Sequence, residues 1–187
     1  MKRGVMWGLV LVALGLPAVV PSYGGNTADS IVASASGKLC GNASLARPRP
    51  GCSPVPPRSS GNVHEDCVAR INQLRRECQC LPPLARWKAG ESCANRQAKY
   101  DLRGGIHAGF NEGVCKPSGR AQNECPAWPS TTEVVEGCLQ RMWDEGPGKR
   151  FSNHGHYITM SNPSYERVAC GFARAPDGKI WSVQNFE

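Results

Sequence analysis

Apolar residues near the start of the chain are gathered in one block, from Val5 to Leu16, behind the charged pair Lys2 and Arg3. That order is the pattern of a secretory signal segment, expected here over residues 1–25. The block is too short for a membrane span. From residue 26 to residue 61 neither a helical nor a strand period can be traced. Ser, Gly, Ala and Pro dominate, with Arg47-Pro48-Arg49-Pro50 and Pro54-Val55-Pro56-Pro57, and the composition predicts a semi-extended linker. At Asn62 a period of 3.6 begins abruptly, and residues 62–187 are enough for one domain around one core.

Within that domain the first helix is well marked. Asn62 is placed to cap it, Glu65 stands three residues on as in a capping box, and Cys67, Val68, Ile71, Leu74 and Cys78 share one face. Leu81-Pro82-Pro83-Leu84 ends it, because proline cannot continue a helix. Glu91 to Tyr100 is a second helix, with Cys93, Ala94 and Ala98 at helical spacing. Residues 104–128, rich in Gly, Pro and Asn, predict a disulfide-held loop with short extended pieces. Ser130-Thr131-Thr132-Glu133 opens a third helix through Val134, Val135, Cys138, Leu139 and Met142, ending near Gly146-Pro147-Gly148. The C-terminal part predicts a hairpin: Val168, Cys170 and Phe172 alternate, Pro176-Asp177-Gly178 turns, and Ile180 to Phe186 returns. Helices outside a short antiparallel sheet follow from this order of elements.

The ten cysteines, 40, 52, 67, 78, 80, 93, 115, 125, 138 and 170, form an even set behind an export signal. Together they predict disulfides in an oxidising compartment, with Cys40 and Cys52 placed for a local pair. No Cys-x-x-Cys pair supports a zinc ribbon. The formal charge of +7 becomes +5 once Lys2 and Arg3 leave, and its only tight groups are the doublets Arg75-Arg76 and Lys149-Arg150, so nucleic acid is not an expected partner. Neither a Gly-x-Ser-x-Gly elbow nor a His-Glu-x-x-His helix is present, since Val68 stands where the second histidine belongs. Four histidines, 64, 107, 154 and 156, remain as candidate chemistry, three of them in the half that also carries Glu112, Glu124, Asp144 and Glu145.

Several segments together resemble the CAP superfamily of cysteine-rich secretory, antigen 5 and pathogenesis-related 1 proteins, or SCP domain. Cys67 to Arg75, with Asn72-Gln73-Leu74-Arg75, is similar to the family's first helix. Leu84-Ala85-Arg86-Trp87 followed by Cys93-Ala94-Asn95-Arg96-Gln97-Ala98 resembles its second. Trp143-Asp144-Glu145 resembles the tryptophan-then-glutamate of its third, and His156-Tyr157, Asn162-Pro163 and Val168-Ala169-Cys170-Gly171 resemble the second histidine and the strand after it. The likeness runs from Asn62 to Phe186.

The resemblance implies a divergent, bacterial-like member with an α+β fold, a disulfide-stabilised three-layer αβα sandwich around a central antiparallel sheet. It implies a cleft cluster of His107, Gln122, Glu145 and His156, and a divalent cation such as zinc on His107, His156 and Glu145. One departure bears on this: the family's Gly-Glu-Asn reads Ala121-Gln122-Asn123, so an amide stands where a carboxylate is expected. Glu124, two residues on, points to the same side if the segment is extended. The expected function is a secreted, non-enzymatic binding or effector module for an extracellular ligand, protein or lipid. Its location is extracellular, or periplasmic or cell-surface in a bacterium, without a membrane span after signal removal. A metal-assisted, protease-like hydrolase and a lipid or sterol carrier are the alternatives.

Overall fold

The computed structural model describes residue 40 and residues 43–187; the expected signal segment and the first part of the expected linker lie outside the described residues. Helix α1 spans Val63–Gln73 and continues through a wider, π-type turn at Leu74–Cys78. Asn62 starts it as expected, its Oδ1 accepting from the peptide N–H groups of His64 and Glu65 at 3.1 and 3.3 Å. Those are donors that a helix start otherwise leaves open. Glu65 does not close the capping box; its carboxylate pairs with Arg86 at 3.2 Å. The apolar stripe Cys67, Val68, Ile71, Leu74 and Cys78 is buried throughout.

Strand β1 is the two-residue Ala85–Arg86 and helix α2 is Lys88–Gly104, longer at both ends than its apolar spacing shows. A short helix α3, Ala108–Asn111, follows the turn at Gly105, and strand β2 is Ala121–Trp128. The stretch 104–128 is thus more regular than expected, because β2 carries three consecutive polar residues, Gln122, Asn123 and Glu124, and no hydrophobic alternation to announce it. Helix α4 is continuous through Thr131–Glu133, Val134–Cys138 and Leu139–Asp144, and Ser130 Oγ accepts from the Glu133 N–H at 3.1 Å. Helix α5, Phe151–Ser161, was not legible in its sequence of Ser, Asn, His and Gly, which are weak helix formers. Strands β3, Arg167–Arg174, and β4, Ile180–Phe186, form the expected hairpin.

The strand order is β1-β3-β4-β2. Both β4 pairings are antiparallel, while β1 runs parallel to β3, so the sheet is antiparallel at its centre and mixed at one edge. Residues 168 to 171 of β3 are all buried, because the strand's alternation divides its side chains between two helical layers rather than between core and solvent. Val168, Cys170 and Phe186 join the core built with α1 and α4. Ala169 and Val183 pack with Trp87, Ala94 and Ala98 of the α2 layer. The fold is therefore the α+β three-layer sandwich.

All ten cysteines are paired: Cys40–Cys80, Cys52–Cys78, Cys67–Cys170, Cys93–Cys115 and Cys125–Cys138. The expected local Cys40–Cys52 pair is not formed. Instead each of these two bonds to the end of α1, where the described part of the preceding segment lies along the helix. The peptide N–H groups of Leu45 and Arg49 donate to the carbonyls of Gln79 and Cys78, and Arg70 and Gln73 donate to those of Pro54 and Val55. Buried Arg75 ties α1 to α5 by donating to the carbonyls of Pro82, Met160 and Asn162 at 3.0, 2.6 and 3.2 Å. Loss of water around its guanidinium lowers its pKa to about 10.

Gly171 is where α2 touches the sheet, and a Cβ there would overlap the backbone of Ala94 and Asn95. Backbone cannot yield as a flexible side chain would. Gly171→Ala is therefore expected to lower the unfolding free energy by about 2–3 kcal/mol, measured by urea titration with the disulfides intact.

Candidate functional site

Two of the expected cleft residues come from opposite layers and meet at the β2 edge of the sheet. His107 arrives at the end of α2, after Gly105 at φ 89°, and itself adopts the left-handed conformation at φ 61°. That is uncommon for a side-chain-bearing residue. His156 arrives on α5 from the other side. With Gln122, Asn123, Phe151 and Gly155 they line a cleft of about 180 Å³.

Each imidazole is oriented through Nδ1. His156 Nδ1 stands 2.5 Å from Glu145 Oε1, and the other Glu145 oxygen accepts the His156 N–H at 3.0 Å. His107 Nδ1 stands 2.8 Å from Gln122 Oε1. Because both Nδ1 atoms face acceptors, the neutral rings carry their proton there and present the Nε2 lone pair. The orientation of the Gln122 amide is fixed from behind: its Nε2 donates to Asn185 Oδ1 at 2.9 Å and Gln97 Oε1 at 3.2 Å, and Asn185 Nδ2 donates to Gln97 Oε1 at 2.7 Å. Asn123, on the other face of β2, donates to the His156 carbonyl at 3.0 Å. The four expected cluster residues are thus two imidazole–acceptor pairs, His107 with Gln122 and His156 with Glu145.

Beneath His107 lie two buried carboxyls. Glu124 Oε2 accepts the His107 peptide N–H at 2.6 Å and stands 3.6 Å from Nδ1, with its side chain fully buried. Asp101 Oδ1 accepts the Gly109 N–H at 2.6 Å. Together they grip both ends of the turn that displays His107. The second oxygen of each, Glu124 Oε1 and Asp101 Oδ2, is buried without a hydrogen-bond partner. Burial pushes Glu124 up from 4.5 to about 7, against the lowering effect of the His107 N–H and helped by the nearby Asp101 charge. Asp101 is raised for the same first reason.

The residues present do not make a three-ligand metal centre. Glu145 is spent on the ring and backbone of His156 rather than standing beside it, Gln122 offers an amide, and among the described residues no group of three or more His, Cys, Asp or Glu is placed to hold an ion. The other two histidines serve the fold: His64 Nδ1 meets the Cys170 carbonyl at 2.7 Å, and His154 Nδ1 meets the Glu145 carbonyl at 2.7 Å. Gln97, Asp101 and Asn185 were missed in the sequence. Gln97 and Asp101 sit one turn apart on the same face of α2 as Cys93, Ala94 and Ala98, a polar pair on an apolar stripe that could have signalled them.

No family model matches the chain, and no curated protein matches it. Among solved structures it is similar to BmVAL-1, with a TM-score of 0.52 and 16% identity over 74% of this chain and 80% of that one. It is also similar to Na-ASP-1, with a TM-score of 0.50 and 13% identity over 77% of this chain, which spans 43% of that longer protein. At these identities the likeness is one of fold.

The buried Glu124 carries a pH dependence with a definite sign. Between about pH 4.5 and 7 the folded chain holds a proton that the unfolded chain has released, so stability falls as pH rises through this window. The contribution is roughly 3 kcal/mol. Glu124→Gln keeps an acceptor for the His107 N–H and removes the titration. Its melting temperature is expected to vary less than that of the wild type between pH 5 and pH 8, and to exceed it at pH 8, by calorimetry in matched buffers.

Proposed function

We propose that the protein is a secreted CAP-domain protein whose His107/His156 cleft is a non-enzymatic binding site for an extracellular partner. The observation that carries this reading is how the cleft's polar groups are used. Gln122 and Glu145 are each spent in orienting an imidazole, and Gln122 is held in turn by Asn185 and Gln97. Such a site presents two fixed imidazole edges over a prearranged wall, which suits recognition of a polar group without reorganisation. At about 180 Å³ the cleft is smaller than the roughly 300–1,000 Å³ of sites that enclose a drug-sized molecule. It fits the tip of a partner's side chain or a terminal sugar hydroxyl group. The similarity of fold to BmVAL-1 and Na-ASP-1 supports the CAP assignment, and five disulfides among the described residues support an oxidising, extracellular location. Among the described residues no helix is long and apolar enough to cross a membrane.

A metal-assisted hydrolase is the rival reading, favoured by the carboxylate behind His156, an arrangement also found behind metal-bound imidazoles. Purified protein without a histidine tag is expected to contain no stoichiometric zinc and to turn over no peptide, ester or glycan panel, with or without added divalent ions. Stoichiometric zinc lost in His107→Ala, or turnover abolished in His156→Ala, would overturn the binding-module reading.

A further inference from the structure

The outward face of α2 carries Arg96, Lys99 and Arg103 in succession, all exposed. Among the described residues none of the three makes an ion pair or a side-chain hydrogen bond. Most other arginines are committed elsewhere. Arg70 and Arg75 are buried among carbonyl and amide acceptors, and Arg86 is paired with Glu91 and Glu65. Arg120, Arg141 and Arg167 lie over the rings of Tyr165, Trp128 and Trp87. The acids near the α2 ridge are committed too: Glu112 accepts from the Tyr100 hydroxyl at 2.6 Å, Asp101 is buried under the His107 turn, and Asp177 pairs with Lys179. The ridge is therefore a local excess of positive charge without an internal partner.

The surface beside the ridge is concave. A groove of about 550 Å³ runs along one flank, between the ridge and Val114, and another of about 580 Å³ along the other, between the ridge and Phe172 and Arg174 at the end of β3. Arg174 donates to the Gly178 carbonyl at 2.7 Å, which fixes its guanidinium without neutralising it. At 1.5 Å per residue, Arg96 and Arg103 are about 10 Å apart along the helix axis.

We infer that this ridge and its two grooves form a binding site for a sulfated polysaccharide. A linear polyanion laid along α2 meets three cations in turn, and guanidinium groups match the oxygens of a sulfate in the way they match a phosphate. The floor of the grooves is apolar but recessed: Leu102 and Phe172 are half-buried, and the exposed ring of Tyr100 is tied to Glu112. Among the residues that line the grooves no large aliphatic side chain is exposed to enter a bilayer, as a surface-inserting protein requires. The site also lacks a set of free aromatic rings on which bases could stack. Five disulfides among the described residues support an extracellular location, where such polyanions are met, so the inference shares the compartment of the function proposed above but does not depend on its cleft.

The experiment is titration of the full chain with a heparin oligosaccharide of defined length at several salt concentrations. Phosphatidylserine–phosphatidylcholine vesicles and single-stranded DNA serve as parallel probes. Arg96→Ser/Lys99→Ser/Arg103→Ser is compared with a charge-matched control, Arg58→Ser/Lys88→Ser/Lys149→Ser. The wild type is expected to bind heparin in preference to the other two probes. The ridge variant should bind more than tenfold more weakly, with a salt slope smaller by about three, and the control should stay within twofold. His156→Ala should bind heparin like the wild type, which separates this site from the cleft. Equal weakening in both triple variants, preferential binding of vesicles or DNA, or no heparin binding by the wild type would each overturn the inference. Because the three side chains make no ion pair or side-chain hydrogen bond among the described residues, an unchanged melting temperature of the ridge variant confirms that binding, rather than folding, is being read.

Discussion

The rest of the structure depends on β3 being pressed between two helices. Its even-numbered residues face α1, where Cys170 is bonded to Cys67, and its odd-numbered residues face α2, where Gly171 lets the helix backbone come down onto the strand. A disulfide joining residues 103 apart in sequence closes a loop large enough to remove much conformational freedom from the unfolded chain. The close approach at Gly171 fixes the height of α2 over the sheet. Since β4 and then β2 are hydrogen-bonded outward from β3, the same contact sets where Gln122 and Glu124 stand relative to the C-terminal end of α2. His107 begins just beyond that end. The geometry of the cleft is thus inherited from a contact two strands away from the strand that opens it.

Two kinds of buried charge are handled in opposite ways. The guanidiniums of Arg70 and Arg75 are given carbonyl and amide acceptors from several segments, and in exchange they hold those segments together. The carboxyls of Asp101 and Glu124 are each given one peptide N–H and left with one bare oxygen. A buried acceptor without a partner is costly, and neutralising the group is the cheapest relief, which is why burial raises both acids. The incomplete satisfaction lies directly under the cleft, where it holds a left-handed histidine in place. The fuller satisfaction lies along α1, where of the two guanidiniums only the Arg70 Nε is left without a partner.

Much of the fold was legible in the sequence because its signals are local. Asn62 and Ser130 cap the helices they were expected to cap, and Pro176-Asp177-Gly178 turns the hairpin it was expected to turn. What escaped was polar or weakly periodic. Strand β2 presents Gln122, Asn123 and Glu124 to two polar networks, so no apolar alternation marks it, and α5 is built from residues with little helical preference and is held by tertiary contacts. The disulfide map escaped for a different reason. Cys40 and Cys52 are near one another in sequence, yet the segment carrying them runs back along α1, which brings each to the helix end instead. In the site, His107, Gln122 and His156 line one cleft with Glu145 against the His156 ring, while Gln97, Asp101 and Asn185 carry no motif, and only the polar pair Gln97 and Asp101 on the apolar stripe of α2 hints at them.

The amide at position 122 is best understood together with the acid at position 124. Gln122 accepts from His107 on one side and donates to Asn185 and Gln97 on the other, and both of those partners present oxygen atoms to it. A carboxylate there has nothing to donate, so it would face two oxygens across hydrogen-bond distances while also sharing the His107 ring with Glu124. Three acids around one turn would compete for two peptide N–H groups and one imidazole. With an amide at the cleft wall, the contacts to Asn185 and Gln97 form without repulsion, and the carboxyls near His107 are confined to the buried side. The amide therefore does more than keep a charge out of the cleft. It leaves the acid beneath His107, where it shapes the turn, and gives the surface that a partner meets an uncharged amide held by Asn185 and Gln97.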